Sequence, residues 1–184
     1  MSSPALMLGD SGEEPFVGHL RLSLSGPEVW ISAAGRVAGA SGALDAFEPA
    51  RRLETALRLE LEGLLEKSER NLLLHRAWKA LVAMDPADLG AEAGADLSLL
   101  LVAGDTRGVG VSGVGLSMVW GRYYGRWRPL VRSGHPLLSD AGRPMRAPGV
   151  LDLPQPPEIL LATPKHRPPC LPEGDVLRHA GVYR

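Results

Sequence analysis

The sequence predicts an α+β domain of layered, sandwich-like antiparallel β-sheets flanked by helices. Three observations carry this. Between His19 and Ser25 apolar and polar residues alternate with the period of a half-buried strand. Leu53, Leu57, Leu61 and Leu64 recur at the spacing of one helix face. Along the chain two strand-like runs precede a helical stretch, and three more strands and a last one follow, which is the order of helices laid over a mostly antiparallel sheet or sandwich.

Taken in order, residues 1–16 ("MSSPALMLGDSGEEPF") form a flexible lead, and the domain is expected to run over 17–166. Residues 17–34 read as a hairpin turning at Gly26-Pro27. Gly35 to Ala43 is a run of small residues and is expected to be a loop. Asp45 can cap a helix, with Glu48 completing the box and Pro49 in the first turn. The apolar spacing resumes at Leu74, Trp78, Leu81 and Met84 and stops at Asp85-Pro86. Gly63 interrupts it, so 45–84 is expected to be a helix pair or one long broken helix.

After a loop at 85–95 come three strands, "LSLLLVAG", "GVGVSGVGLSMVWGR" and "WRPLVRSG". The first is almost wholly apolar and is therefore central. The glycines of the second suggest a strand pair presenting a tight turn at Gly113 to Ser117. Ala141 to Pro157 is rich in proline and glycine and is expected to be a loop. "EILLATP" is the last strand, and 167–184 a Pro-rich tail.

A chain of 184 residues with a formal net charge of −1 fits a single domain. Balanced charge gives no reason to expect nucleic acid or an anionic membrane as partner. No apolar run approaches a membrane span, and the N-terminus lacks the pattern of a secretory signal. One cysteine, Cys170, excludes an internal disulfide and a thiolate cluster. A cytoplasmic location is the default expectation.

Few residues suggest chemistry. The glycines of "GDTRG" and "GVGVSGVG" lie between strands, with no following Gly-Lys-Ser/Thr, so they suit turns and close packing rather than a phosphate loop. His19, His75, His135, His166 and His179 show no metal-ligand spacing. Ser112 does not stand in a nucleophile elbow, and Cys170 has no evident base beside it. No catalytic residue, metal ligand or cofactor is expected from these patterns. Trp120, Tyr123, Tyr124 and Trp127 are concentrated in eight residues and interleaved with Arg122, Arg126 and Arg128. They suit a core with cation–π packing. The alternative is a protein-binding patch of Trp120, Tyr123, Tyr124, Arg126 and Trp127, because such residue types dominate interface energies.

The order of "ISAAGRVAGA", the helices, "SGVGLSMVWGR", "GRWRPLVRSGHPLL" and "EILLATPKH" resembles the PPM (PP2C-type) metal-dependent serine/threonine phosphatases over about residues 17–166. The resemblance implies a PP2C-like fold, here truncated, since the chain stops before a family-like final aspartate strand. It also implies a family chemistry in which aspartates hold two Mg²⁺ or Mn²⁺ ions around a water that attacks a phosphoserine or phosphothreonine. This sequence departs from the pattern at each aspartate. The matched positions are Ala34 before Gly35, Leu116 between Gly115 and Ser117, Gly134 before His135, and Pro164 after Thr163. Hard divalent cations need oxygen ligands, mainly carboxylates, which these residues do not supply. The resemblance therefore implies a degenerate member, a pseudophosphatase serving as a protein-interaction, regulatory or structural subunit, with a protein partner or a multiprotein assembly around it. The alternative is an active hydrolase, metal-dependent or of the N-terminal-nucleophile type, whose site no motif reveals.

Overall fold

The computed structural model describes residues 3–8, 17–38, 47–66, 69–84, 96–132, 138–139 and 149–164. Strand β1 is Ala5–Leu8, β2 Val17–Ser25 and β3 Trp30–Ala38; helices α1, Phe47–Leu61, and α2, Arg70–Ala83, follow. Then come β4 (Asp96–Asp105), β5 (Gly108–Val114), β6 (Leu116–Tyr123), β7 (Arg126–Arg132), β8 (Leu138–Ser139), β9 (Leu151–Leu153) and β10 (Ile159–Pro164).

The strands make two sheets. One has four strands in the order β1-β10-β6-β7; the other has the order β2-β3-β4-β5-β8, with β9 also paired to β5. Pairing is antiparallel except for β1 beside β10 and β8 beside β5, which are parallel. The α+β sandwich predicted from the sequence is thus present, as a mixed rather than purely antiparallel one.

Strand alternation sorts the side chains into two cores. Leu20, Leu22 and Leu24 of β2, Ile31 of β3 and Leu99 and Leu101 of β4 face the helices, where Leu53, Leu57, Leu61, Leu74, Trp78 and Leu81 meet them. The opposite face of the same sheet sends Trp30, Leu100, Val102, Val109 and Val111 towards Leu116, Val119, Val131, Leu160 and Ala162 of the four-stranded sheet. The layers are therefore helices, large sheet, small sheet. The helix spacing seen in the sequence is the contact stripe, and β4 lies between β3 and β5, as its continuous apolar run requires. A 3₁₀ turn at Glu62–Leu64, around Gly63, separates the helices, so the expected pair is what forms.

Four expectations change. Residues 5–8, assigned to a flexible lead, form an edge strand, because Ala5 to Leu8 find a parallel partner in Ile159 to Ala162. Gly35 to Ala38, assigned to a loop, extend β3 by pairing with Leu99 to Asp96. Residues 151–153, assigned to a loop, pair with Val109 to Val111. Finally, β5 and β6 are not a strand pair with a turn between them, since they lie in different sheets. The expected cap at Asp45, residues 141–148 of the expected loop, Gly134, Cys170 and the tail of 167–184 lie outside the described residues.

One polar relay links the helical layer to β5. The Trp78 Nε1–H donates to Ser112 Oγ at 2.8 Å, and Ser112 Oγ donates to the Gly149 carbonyl at 2.9 Å. A second network ties the start of α2 to the β4–β5 turn. Arg70 Nη1 donates to Asp105 Oδ1 at 2.7 Å and its Nη2 to Asp152 Oδ1 at 3.3 Å. The Arg107 backbone N–H also donates to Asp105 Oδ1, at 2.8 Å. Burial pushes the Asp105 carboxyl up, but the Arg107 N–H and the Arg70 guanidinium outweigh it and hold the group below its ordinary value of 3.8.

A carboxyl whose folded pKa lies below its unfolded one stabilises the fold above the unfolded value. That contribution fades as the pH falls through the lowered value. Asp105→Asn should therefore cost about 1–3 kcal/mol at neutral pH and nothing at strongly acid pH. Urea melts of both proteins between neutral pH and pH 3 check this; a pH-independent difference would contradict it.

Candidate functional site

Of the positions matched to metal-binding aspartates, Leu116 and Pro164 meet where β6 begins and β10 ends, while Ala34 lies in the middle of β3, and the backbone explains the first pair. At Gly115 the chain leaves the six-stranded sheet and enters the four-stranded one. The switch takes one residue, with φ +65°, and a Cβ there would lie 1.9 Å from the Leu97 carbonyl oxygen. Only glycine fits both demands. Ser98 Oγ donates to the Gly115 carbonyl at 3.0 Å and pins the switch to β4.

Leu116 follows immediately and is 3% exposed. Its side chain turns into the inter-sheet core and lies over Gly113, where a Cβ would sit 2.6 Å from Leu116 Cδ1. Pro164 is the register partner of Leu116. Ser117 Oγ lies 3.3 Å from the carbonyls of both Thr163 and Pro164, which share its single proton, joining β6 to the end of β10. Thr163 is fully buried, and its hydroxyl has no hydrogen-bond partner among the described residues.

Ala34 lies on the facing sheet, 5% exposed, in register with Arg21 and Leu100. It borders a recess of about 160 Å³ whose other walls include Leu6, Leu8, His19, Arg21 and Arg36. A neighbouring hollow of about 290 Å³ shares Leu6, Arg21 and Ala34 and adds the hydroxyls of Ser3, Ser23 and Ser32. The structure thus brings Leu116 and Pro164 together and sets Ala34 across the sandwich from them. Among the described residues no group of three or more His, Cys, Asp or Glu side chains could hold a metal ion.

Sequence reasoning missed Arg36. It is 5% exposed in the middle of a sheet, opposite Ser98. The signal was available, as a single arginine inside "SAAGRVAGA", a run otherwise made of small and apolar residues.

The aromatic group does not form one surface. Trp120, 7% exposed, clusters with Leu161, Met118 and Trp127 on the side of the small sheet that faces away from the large one. Tyr123 is half-buried, and its ring closes over Gly121 beside Leu130 and Pro157. Its burial raises the phenol above its ordinary value, against the pull of the Arg128 charge. Tyr124 and Gly125 form the β6–β7 turn with φ of 52° and 75°, the primed geometry that suits the twist of a tight hairpin. Tyr124 is 79% exposed, and its hydroxyl accepts from Gln155 Nε2 at 2.8 Å. Arg126 is exposed and Trp127 half-buried.

This arrangement, two packed sheets with helices on one outer face, defines the chain as a PP2C-like α+β sandwich. It is similar to the RsbU and RsbW domains of Rv1364c from Mycobacterium tuberculosis, with TM-score 0.54 and 15% identity, covering 82% of this chain and 39% of that one. It is also similar to the SiaA-PP2C domain of Pseudomonas aeruginosa, with TM-score 0.49 and 13% identity, covering 77% and 53%. A third neighbour is the PP2C phosphatase domain of SpoIIE from Bacillus subtilis with a fragment of its regulatory domain, with TM-score 0.45 and 12% identity, covering 75% and 40%. At such identities the likeness is one of fold. The chain spans about two fifths of the first structure's length. No family model and no curated protein matches the chain. Among the described residues no helix is long and apolar enough to cross a membrane.

Proposed function

We propose that this chain is a PP2C-like domain without phosphatase chemistry that acts by contact with a protein partner, as a regulatory or structural subunit. The observation that carries this is Leu116. In the resemblance it occupies a metal-binding aspartate position, and its side chain is part of the inter-sheet core, seated on Gly113. An aspartate there would bury a carboxylate among Val119, Leu100 and Ala162 unless cations compensated it. Ala34 and Pro164 are likewise buried and carry no side-chain oxygen. A pair of hard divalent ions needs several carboxylates. Among the described residues the matched positions do not fit such a pair.

The expected result is that titration calorimetry with Mn²⁺ or Mg²⁺ shows no micromolar binding. A phosphoserine/phosphothreonine peptide assay with added Mn²⁺ should show no release above background. Metal-dependent turnover, lost when the metal is chelated, would overturn this reading in favour of a working hydrolase.

A further inference from the structure

The two sheets are unequal in width, and the difference leaves β2 uncovered on one face. Strand β1, an edge of the small sheet, packs over β3, with Ser3 Oγ 3.2 Å from Ser32 Oγ. Strand β2 is the next one out in the large sheet. Its Leu20, Leu22 and Leu24, turned to the helices, are buried. Its His19, Arg21 and Ser23, turned the other way, are exposed. Register continues that second face onto β3 with Arg36, Ala34 and Ser32 opposite them. Neighbouring strands lie about 4.8 Å apart and packed sheets about 10 Å, so a strand added beside β1 would lie over this shelf.

The edge of β1 is built to receive one. The Ala5 N–H donates to the Glu158 carbonyl at 3.1 Å. Backbone groups alternate in direction along a strand, so those of Ala5 and Met7 face β10, and those of Leu6 and Leu8 face the open edge. The side chains of Leu6 and Leu8 pack against the inter-sheet core, and neither a proline nor a register shift interrupts residues 5–8. The opposite edge of the same sheet, β7, carries Pro129 at a register shift, features that discourage addition of a strand.

The floor of the shelf selects the strand. His19, Arg21 and Arg36 border the recess at its Leu8 end. Arg21 and the hydroxyls of Ser3, Ser23 and Ser32 border the hollow at its Ser3 end. Among the described residues no aspartate or glutamate lines either one. Arg21 makes no hydrogen bond or ion pair among the described residues. Every second side chain of an added strand would point down at this floor.

We propose that β1 accepts, by strand addition, an extended segment of another protein that carries carboxylates at alternate positions. Main-chain hydrogen bonds to Leu6 and Leu8 hold the segment, and its downward carboxylates accept from Arg21 and the serine hydroxyls. Lysines at those positions would set like charge against Arg21. The proposal deepens the contact-based function above and rests on it.

The test uses the full chain and the anisotropy of labelled synthetic peptides. One alternates glutamate with threonine, a second alternates lysine with threonine, and a third is the glutamate peptide with its main-chain nitrogens methylated. Methylation keeps the charge and removes the N–H donors. The glutamate peptide should bind saturably, and methylation should weaken it by about tenfold or more. Arg21→Glu, at an exposed position, should weaken it by about tenfold with the melting temperature unchanged, and Arg126→Glu on β7 should leave it as it is. Leu8→Pro removes an N–H from the open edge only and should abolish binding. If Leu8→Pro loses the fold, Arg21→Glu and the methylated peptide carry the test. The proposal is overturned if the glutamate peptide does not bind, if the methylated or the lysine peptide binds as well, or if Arg21→Glu changes nothing. Residues 9–16, which join β1 to β2, hold three Asp/Glu. Binding that appears only after Asp10→Asn, Glu13→Gln and Glu14→Gln would also overturn it, by making the chain's own segment the occupant. Metal-dependent phosphatase turnover would sink the non-catalytic function and leave this binding result standing, so the two failures are distinguishable.

Discussion

Leu57→Asp should abolish the folded state. Leu57 is fully buried on the helix face that meets the large sheet, in the same cluster as Leu20, Leu53, Leu61 and Leu99. Truncation alone, as in Leu57→Ala, removes methyl contacts and leaves a cavity, at a cost of about 2–5 kcal/mol. Aspartate adds a carboxylate with no partner in that cluster, and an uncompensated buried charge costs several kcal/mol more unless it takes up a proton. Domains of this kind hold about 5–15 kcal/mol in total, so the sum is comparable with the whole stability. The expected outcome is insoluble protein or a far-ultraviolet spectrum without a cooperative melt, with Leu57→Ala folded but clearly weakened in urea. A Leu57→Asp protein that melts like the parent would refute the packing of α1 on the sheet.

Gly115→Ala should be the next most damaging single change, although it adds only a methyl group. Two effects combine at this residue. The backbone has φ +65°, where an L side chain costs about 1–2 kcal/mol. The new Cβ would also fall 1.9 Å from the Leu97 carbonyl oxygen, so β4 or β6 must move to admit it. Movement there disturbs the Ser98–Gly115 hydrogen bond and the seating of Leu116 between the sheets. A loss of about 3 kcal/mol or more is expected, or roughly 10 °C in melting temperature for a domain of this size. Gly63→Ala is the control. It stands in the 3₁₀ turn with nothing near its would-be Cβ, and it should be neutral or slightly stabilising. Equal melting temperatures for the two variants would show that the strand switch at Gly115 carries no strain on substitution.

The helices were legible because their signal is local. Leu53, Leu57 and Leu61 already trace one face in the sequence, and a glycine already marks the break between the helices. The strand β4 was legible for a similar reason, since a run of apolar residues has to be covered on both sides. Residues 5–8 were not legible, because their partner is 154 residues further on, as the register of Ala5 with Ile159 shows. Nothing in "ALML" announces a pairing that depends on a strand at the other end of the domain. The same holds for residues 151–153, which a Pro/Gly-rich neighbourhood disguised as a loop. At the candidate site the identities of Ala34, Leu116 and Pro164 could be read directly, and so could their lack of a side-chain carboxylate. Their placement could not. Leu116 and Pro164 are neighbours through the β6–β10 register, whereas Ala34 belongs to the facing sheet.

By itself, then, the sequence determined the class of the fold, the helix stripe that covers it, the central strand, and the arginine-only stretch around the aromatics. These follow from periodicity and composition, which act over a few neighbouring residues. Only the tertiary structure decided that β5 and β6 part at Gly115 into different sheets. A glycine pair in a strand-rich stretch is compatible with a turn, a bulge or a crossing, and the choice depends on what packs above and below. The tertiary structure likewise decided which aromatics face the core and which face outwards. Alternation fixes the two faces of a strand, but which face is covered depends on the layer stacked against it, and that layer comes from residues distant in the chain.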